Sequence, residues 1–141
     1  MPDPESLETL RSLRVLVLED DEATRSMLVF YLQTMGHQVS AVSTVAAARE
    51  RLETIRYDVF ISDIGLPDGD GWELLRTVKW AYPVYPIATS GYGSEQDRAK
   101  SLAAGFRHHL LKPCKLSALD AALREAAREM THAGSAGFST R

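Results

Sequence analysis

Apolar residues along the chain fall into two alternating patterns. Short runs, nearly continuous in Val, Leu, Ile and Ala, are each followed by a segment in which apolar residues recur at helical spacing. "RVLVLE" (14–19) is the first run. Leu28, Tyr31, Leu32 and Met35 then repeat at helical intervals, and Gly36 closes that segment as a C-cap would. "HQVSAV" is a weaker, alternating strand. Thr44 is placed to cap a helix over "VAAARERLETI", in which Ala48, Leu52 and Ile55 share a face. "DVFIS" predicts the third strand and "WELLRTVKWA" the third helix. "PIATS" reads as the fourth strand with Pro86 at its beginning, since proline cannot donate to a ladder. "SEQDRAKSLAAG" is the fourth helix, stopped by Gly105, and "HHLLK" the fifth strand. "LSALDAALREAAREM" is the last helix, with Leu116, Leu119, Leu123 and Ala126 on one side.

Five strand–helix units of this size imply a parallel sheet with helices on both faces. Right-handed crossovers put the C-terminal ends of all strands at one edge, where ligands of such sheets bind. Glu19-Asp20-Asp21, Asp63, Thr89-Ser90 and Lys112-Pro113 all fall there. Carboxylates crowded to about 4 Å repel by roughly 4 kcal/mol at an effective dielectric near 20, so the cluster requires a counter-ion. Lys112 is one candidate and a hard divalent cation is another, because Mg²⁺ takes oxygen ligands, typically one or two carboxylates plus a phosphate. Asp63 stands alone on the central strand and suits a nucleophile toward phosphorus, while Glu19 and Asp20 suit the metal.

Composition narrows the setting. The 141 residues fit one domain, 45% hydrophobic and 25% charged, and the net charge of −3 argues against direct nucleic-acid contact. Cys114, the only cysteine, excludes an internal disulfide and reads as a buried or half-buried filler. No run is long enough to insert in a membrane, and "MPDPESLETLRSL" lacks the apolar core of a signal peptide, which indicates a cytoplasmic protein. Residues 1–13 read as an extension or linker, 14–130 as the domain and 131–141 as a flexible tail. "PDGDG" is not a calcium loop, since Trp72 and Glu73 occupy positions where that loop needs a ligand and a glycine; it reads as a flexible turn. Asp21 reads as a helix-start residue, and His37, His108 and His132 as surface residues. Of Trp72 and Trp80, which do not share a helical face, at least one is expected to be exposed.

"VLVLEDDEATR", "DVFISDIGLPDGDGWELL", "IATSGYG" and "AAGFRHHLLKP", in this order, resemble the receiver domain of bacterial two-component response regulators, over about 14–130. The resemblance implies a flavodoxin-like (βα)5 fold with strand order 2-1-3-4-5. It implies a signalling switch rather than an enzyme of metabolism, in which a histidine kinase or histidine phosphotransfer domain passes a phosphoryl group to Asp63. Glu19, Asp20, Asp63 and the backbone carbonyl of Gly65 would hold Mg²⁺ or Mn²⁺. Ser90 matches the switch hydroxyl and Lys112 the family's lysine, with Pro113 in a cis-prone position. A downstream protein would read the face made by the fourth helix, fifth strand and fifth helix.

The sequence departs from the family where an aromatic switch residue is usual: His109 stands three places before Lys112, which suggests a pH-sensitive swing. Gly65 lacks the larger polar side chain often found there. The loop "AYPVYP" is stiff, with no role assigned. The wording is also similar to receivers fused to hybrid histidine kinases, so a stand-alone domain and one cut from such a kinase are both open. Two alternatives compete: a Mg-dependent aspartyl-phosphate phosphatase or phosphotransferase, against which Gly65 speaks where a second aspartate is needed, and a pseudo-receiver that never takes phosphate.

Overall fold

The computed structural model of the chain describes residues 12–91 and 93–135, the side chains of 131–135 excepted. Five strands form a parallel sheet: β1 (Arg14–Leu18), β2 (Gln38–Val42), β3 (Val59–Asp63), β4 (Tyr85–Ser90) and β5 (His108–Leu111). Their order is β2-β1-β3-β4-β5, as the family pattern implies. The helices are α1 (Glu22–Thr34), α2 (Val45–Thr54), α3 (Gly71–Thr77), α4 (Glu95–Ala104) and α5 (Leu116–Ser135).

Side-chain alternation divides the core between the two faces. Val15, Val17, Val59, Ile61 and Ile87 pack with Leu28 and Leu32 of α1 and with Leu119, Leu123 and Ala126 of α5. Leu16, Leu18, Phe60 and Ala88 pack with Ala48 and Leu52 of α2, Leu74 and Leu75 of α3, and Ala104 of α4. Each fully buried Val, Leu, Ile or Phe among these contributes about 1.5–3 kcal/mol. Leu13 is also fully buried in the first of these cores, one residue ahead of β1.

The expected helix ends hold. Thr44 caps α2, and Gly36 and Gly105 adopt φ of 95° and 113° beyond α1 and α4, a left-handed conformation that favours glycine. Ser94 caps α4 and Asp21 caps α1. Pro86 is the second residue of β4.

Several expectations need correction. Helix α3 stops at Thr77, because Val78 turns extended and is buried, and the next amide, Lys79 N–H, donates to the Glu53 carboxylate of α2 at 2.9 Å. Trp80 therefore lies beyond the helix and is exposed, while Trp72 is partly buried. Leu116 points outward from the first turn of α5. That helix continues through Ser135, into the segment read as a flexible tail, since each added residue brings one more hydrogen bond once a helix is nucleated. His37 is not a surface residue: it is buried, and its Nδ1 accepts from the Leu13 amide at 3.1 Å. His108 is half-buried, and its Nε2 lies 3.0 Å from the Tyr85 hydroxyl. Of the expected extension at 1–13 and the expected tail at 131–141, residues 1–11 and 136–141 lie outside the described residues.

Candidate functional site

The site forms where β1, β3, β4 and β5 end. Asp63 is the last residue of β3 and is buried, in register with Thr89 of β4. The chain turns back at once: Ile64 N–H donates to Thr89 O, and Gly71 N–H donates to Ile64 O at 2.8 Å. Gly71 is required there, because a Cβ would stand 2.7 Å from the Asp63 carbonyl oxygen. The intervening loop is anchored rather than free. Gly65–Leu66 pairs with Gly69–Asp70 as a small antiparallel ribbon. Asp68 accepts from Val45 N–H and Ala46 N–H at the start of α2, which holds its carboxyl below the usual range, and Asp70 caps α3. Gly65 itself is exposed, with open space where a side chain would go.

Glu19 follows β1 and is 1% exposed. Its Oε2 accepts from the Asp21 amide at 3.0 Å, and Asp20 beside it is exposed. Arg25, one turn into α1, holds this bend by donating to the Glu19 and Asp20 carbonyls at 2.9 and 3.3 Å. Lys112 comes from the far side. Its amide donates to Ser90 O at 2.8 Å, and the following bond to Pro113 is cis. The ammonium then reaches Glu19 Oε1 at 2.7 Å and Asp63 Oδ2 at 2.9 Å.

Burial pushes the Asp63 carboxyl up; Lys112 pulls against this and Glu19 adds to it, and the net shift is upward. Burial also lowers Lys112, but the hydrogen bonds and charges of Glu19 and Asp63 outweigh it and raise the ammonium's pKa. One oxygen each from Glu19, Asp20 and Asp63 lie within 4.8 Å of one another. These are hard oxygen donors, and Glu19 Oε1 is buried against the lysine charge without an aligned hydrogen bond, so the set fits Mg²⁺ or Mn²⁺. A cavity of about 240 Å³ adjoins the acids, lined by Thr24, Met27, Leu28, Pro113 and Cys114. Burial raises the thiol of Cys114, which is half-buried filler rather than a poised nucleophile.

Four of the residues singled out in the sequence thus meet: Asp63, Glu19, Asp20 and Lys112. Ser90 is buried at the end of β4, opposite Leu111 in register. His109 lies elsewhere, buried in β5 with its Nδ1 2.7 Å from Ser101 Oγ of α4. Arg25, Asp68 and Gly71 lie within the segments that carry the resemblance and Ser101 outside them, but the sequence assigned none of them a role at the site. What marks them is contact with segments distant in sequence.

A family model for the response regulator receiver domain matches residues 15–124. The chain belongs to that family. It is 36% identical over 114 residues to the KDP operon transcriptional regulatory protein KdpE of Escherichia coli, covering 81% of this chain and 51% of KdpE. It is 35% identical over 124 residues to the autoinducer 2 sensor kinase/phosphatase LuxQ of Vibrio cholerae, covering 86% of this chain and 14% of LuxQ. The receiver domain therefore spans about half the length of one relative and a small part of the other. A crystal structure of a CheY-like receiver domain protein from Methanospirillum hungatei superposes with a TM-score of 0.79 at 27% identity, covering 86% of this chain and 98% of that one. No helix among the described residues is long and apolar enough to cross a membrane.

Proposed function

We propose that this receiver domain takes a phosphoryl group onto Asp63 from a phosphohistidine of a kinase or a histidine phosphotransfer domain, and that the modification switches its contacts with a downstream protein. The observation that carries the reading is the Lys112 ammonium bridging Glu19 and Asp63, beside three carboxylate oxygens within 4.8 Å. An Asp63 oxygen attacks phosphorus, the P–N bond to the histidine breaks, and its electron pair leaves with the imidazole. Mg²⁺ or Mn²⁺, when bound, neutralises phosphoryl oxygens. Glu19, Asp20, Asp63 and the Gly65 carbonyl would hold it. Lys112 and Ser90 would take the remaining phosphoryl oxygens, as ammonium and hydroxyl donors.

The new charge, up to about two negative units, draws Ser90 and Lys112 toward Asp63 and biases α4, β5 and α5. Leu102, Leu111 and Leu116 are exposed on these elements, which supports their use as the output face. The net charge of −3 supports a protein rather than a nucleic-acid target. The relatives support both arrangements, a regulator with an effector region and a receiver within a sensor kinase.

Intact mass after incubation with Mg²⁺ and acetyl phosphate tests the reading. One phosphoryl adduct on the wild type, absent in Asp63→Asn, is expected. An unmodified wild type under conditions that label a known receiver would overturn the reading.

A further inference from the structure

The proposed function does not account for where His109 lies. The ring is 6% exposed, packed toward α4 rather than toward the acids. Its Nδ1 is 2.7 Å from Ser101 Oγ, and the same Oγ accepts from Trp72 Nε1 at 2.8 Å. Ser101 is fully buried. Three elements, α3, α4 and β5, are thus joined by one chain of side-chain hydrogen bonds.

We propose that Ser101 and Trp72 are positioning residues for His109, which they latch inward through its Nδ1 with the ring proton on Nε2, so that β5 is tied to α3 and α4 at the place where a swinging switch was expected. The donors are compatible with this direction, since the Ser101 oxygen can accept from the indole and turn its own proton toward the ring. An indole N–H can only donate, and a serine hydroxyl has one proton. Having accepted from Trp72, Ser101 can direct that proton to Nδ1, and each bond polarises the next in a site closed to water. The Lys100 ammonium, 5.2 Å from the centre of the Trp72 ring, covers the indole and holds it in place. Swinging the ring outward would leave a buried hydroxyl and a buried ring nitrogen to find new partners, at a cost comparable to a lost hydrogen bond. The latch exists whether or not Asp63 is modified; its importance for signalling rests on the receiver reading. In that setting α3, α4 and β5 respond to modification as one unit, and His109 keeps its place.

Nitrogen-15 NMR of histidine-labelled full chain at neutral pH tests the latch directly. The wild type should show His109 as the Nε2–H tautomer, with a slowly exchanging Trp72 indole proton. Ser101→Ala should accelerate that exchange by about tenfold, roughly the worth of one buried hydrogen bond, and the His109 nitrogens should move toward tautomer averaging. Trp72→Phe removes the donor while leaving Ser101 intact, and should produce the same averaging if Ser101→Ala fails to fold. Adding beryllofluoride with Mg²⁺ should leave the His109 nitrogen shifts of the wild type in place and move those of Ser101→Ala. A wild-type Nδ1–H or averaged tautomer, or indole exchange unchanged in a folded Ser101→Ala, would overturn the latch. So would wild-type His109 shifts that move as far as the variant's. Absence of a phosphoryl adduct by mass, with tautomer and exchange as expected, would instead count against the receiver reading and leave the latch standing.

Discussion

Replacing Lys112 by Met tests the electrostatics of the site most directly. The ammonium lies 2.7 Å from Glu19 Oε1 and 2.9 Å from Asp63 Oδ2, each contact worth about 6 kcal/mol of screened attraction before desolvation is counted. The two acids remain with oxygens within 4.8 Å, repelling by at least about 3.5 kcal/mol at the same dielectric. Much of the gross attraction offsets the cost of burying the ammonium, so the net loss should match other buried pairs stripped of one partner, about 3–4 kcal/mol. Urea denaturation of the metal-free protein at pH 7.5 measures it. Two recoveries should accompany the loss. Saturating Mg²⁺ should stabilise Lys112→Met more than the wild type, since the pocket no longer holds a competing cation. Lowering the pH should also help. Burial already raises the Asp63 carboxyl above its unfolded value, so the native state binds the extra proton, and stability rises as pH falls through the folded pKa. A variant within about 0.5 kcal/mol of wild type, or an equal Mg²⁺ increment in both, would refute the reasoning.

Four further outcomes are expected. His37 is buried neutral with its pKa lowered, chiefly by burial, so the unfolded state takes the proton first; thermal melts should show stability falling as pH drops below about 6.5, and His37→Gln should flatten that fall. Gly71→Ala should cost about 1–3 kcal/mol by forcing α3 off the end of β3, while Gly65→Ala, in open space, should change the denaturation midpoint little. Asp68→Ala should lower the denaturation midpoint in the same assay, because two amides at the start of α2 lose their acceptor. Arg25→Ala should weaken Mg²⁺ binding in a calorimetric titration, since the Glu19–Asp20 bend loses its tether.

The fold was legible because its three central strands are buried on both faces and its helices are amphipathic. Both are periodicities within one segment, and parallel topology then sends Glu19, Asp63, Ser90 and Lys112 to one edge without any knowledge of contacts. What stayed hidden depends on partners far along the chain. His37 reads as a surface histidine until the Leu13 amide, 24 residues away, is seen to donate to it. "PDGDG" reads as a flexible turn until Asp68 is found at the start of α2, 22 and 23 residues from the amides it binds. The early end of α3 depends on Glu53, 26 residues upstream. His109 reads through its family position, whereas its ring nitrogen meets Ser101, eight residues upstream and outside the segments that carry the resemblance, which in turn accepts from Trp72.

The burial of Leu13 bears on how this module can be handled. Its side chain closes the bottom of one core, its amide is the donor to His37, and its carbonyl accepts from Gln38 at 2.9 Å. A cut placed at the first residue of β1 would therefore open a hydrophobic gap and strand an imidazole and an amide. Any graft of this module onto another protein should keep the junction upstream of Leu13.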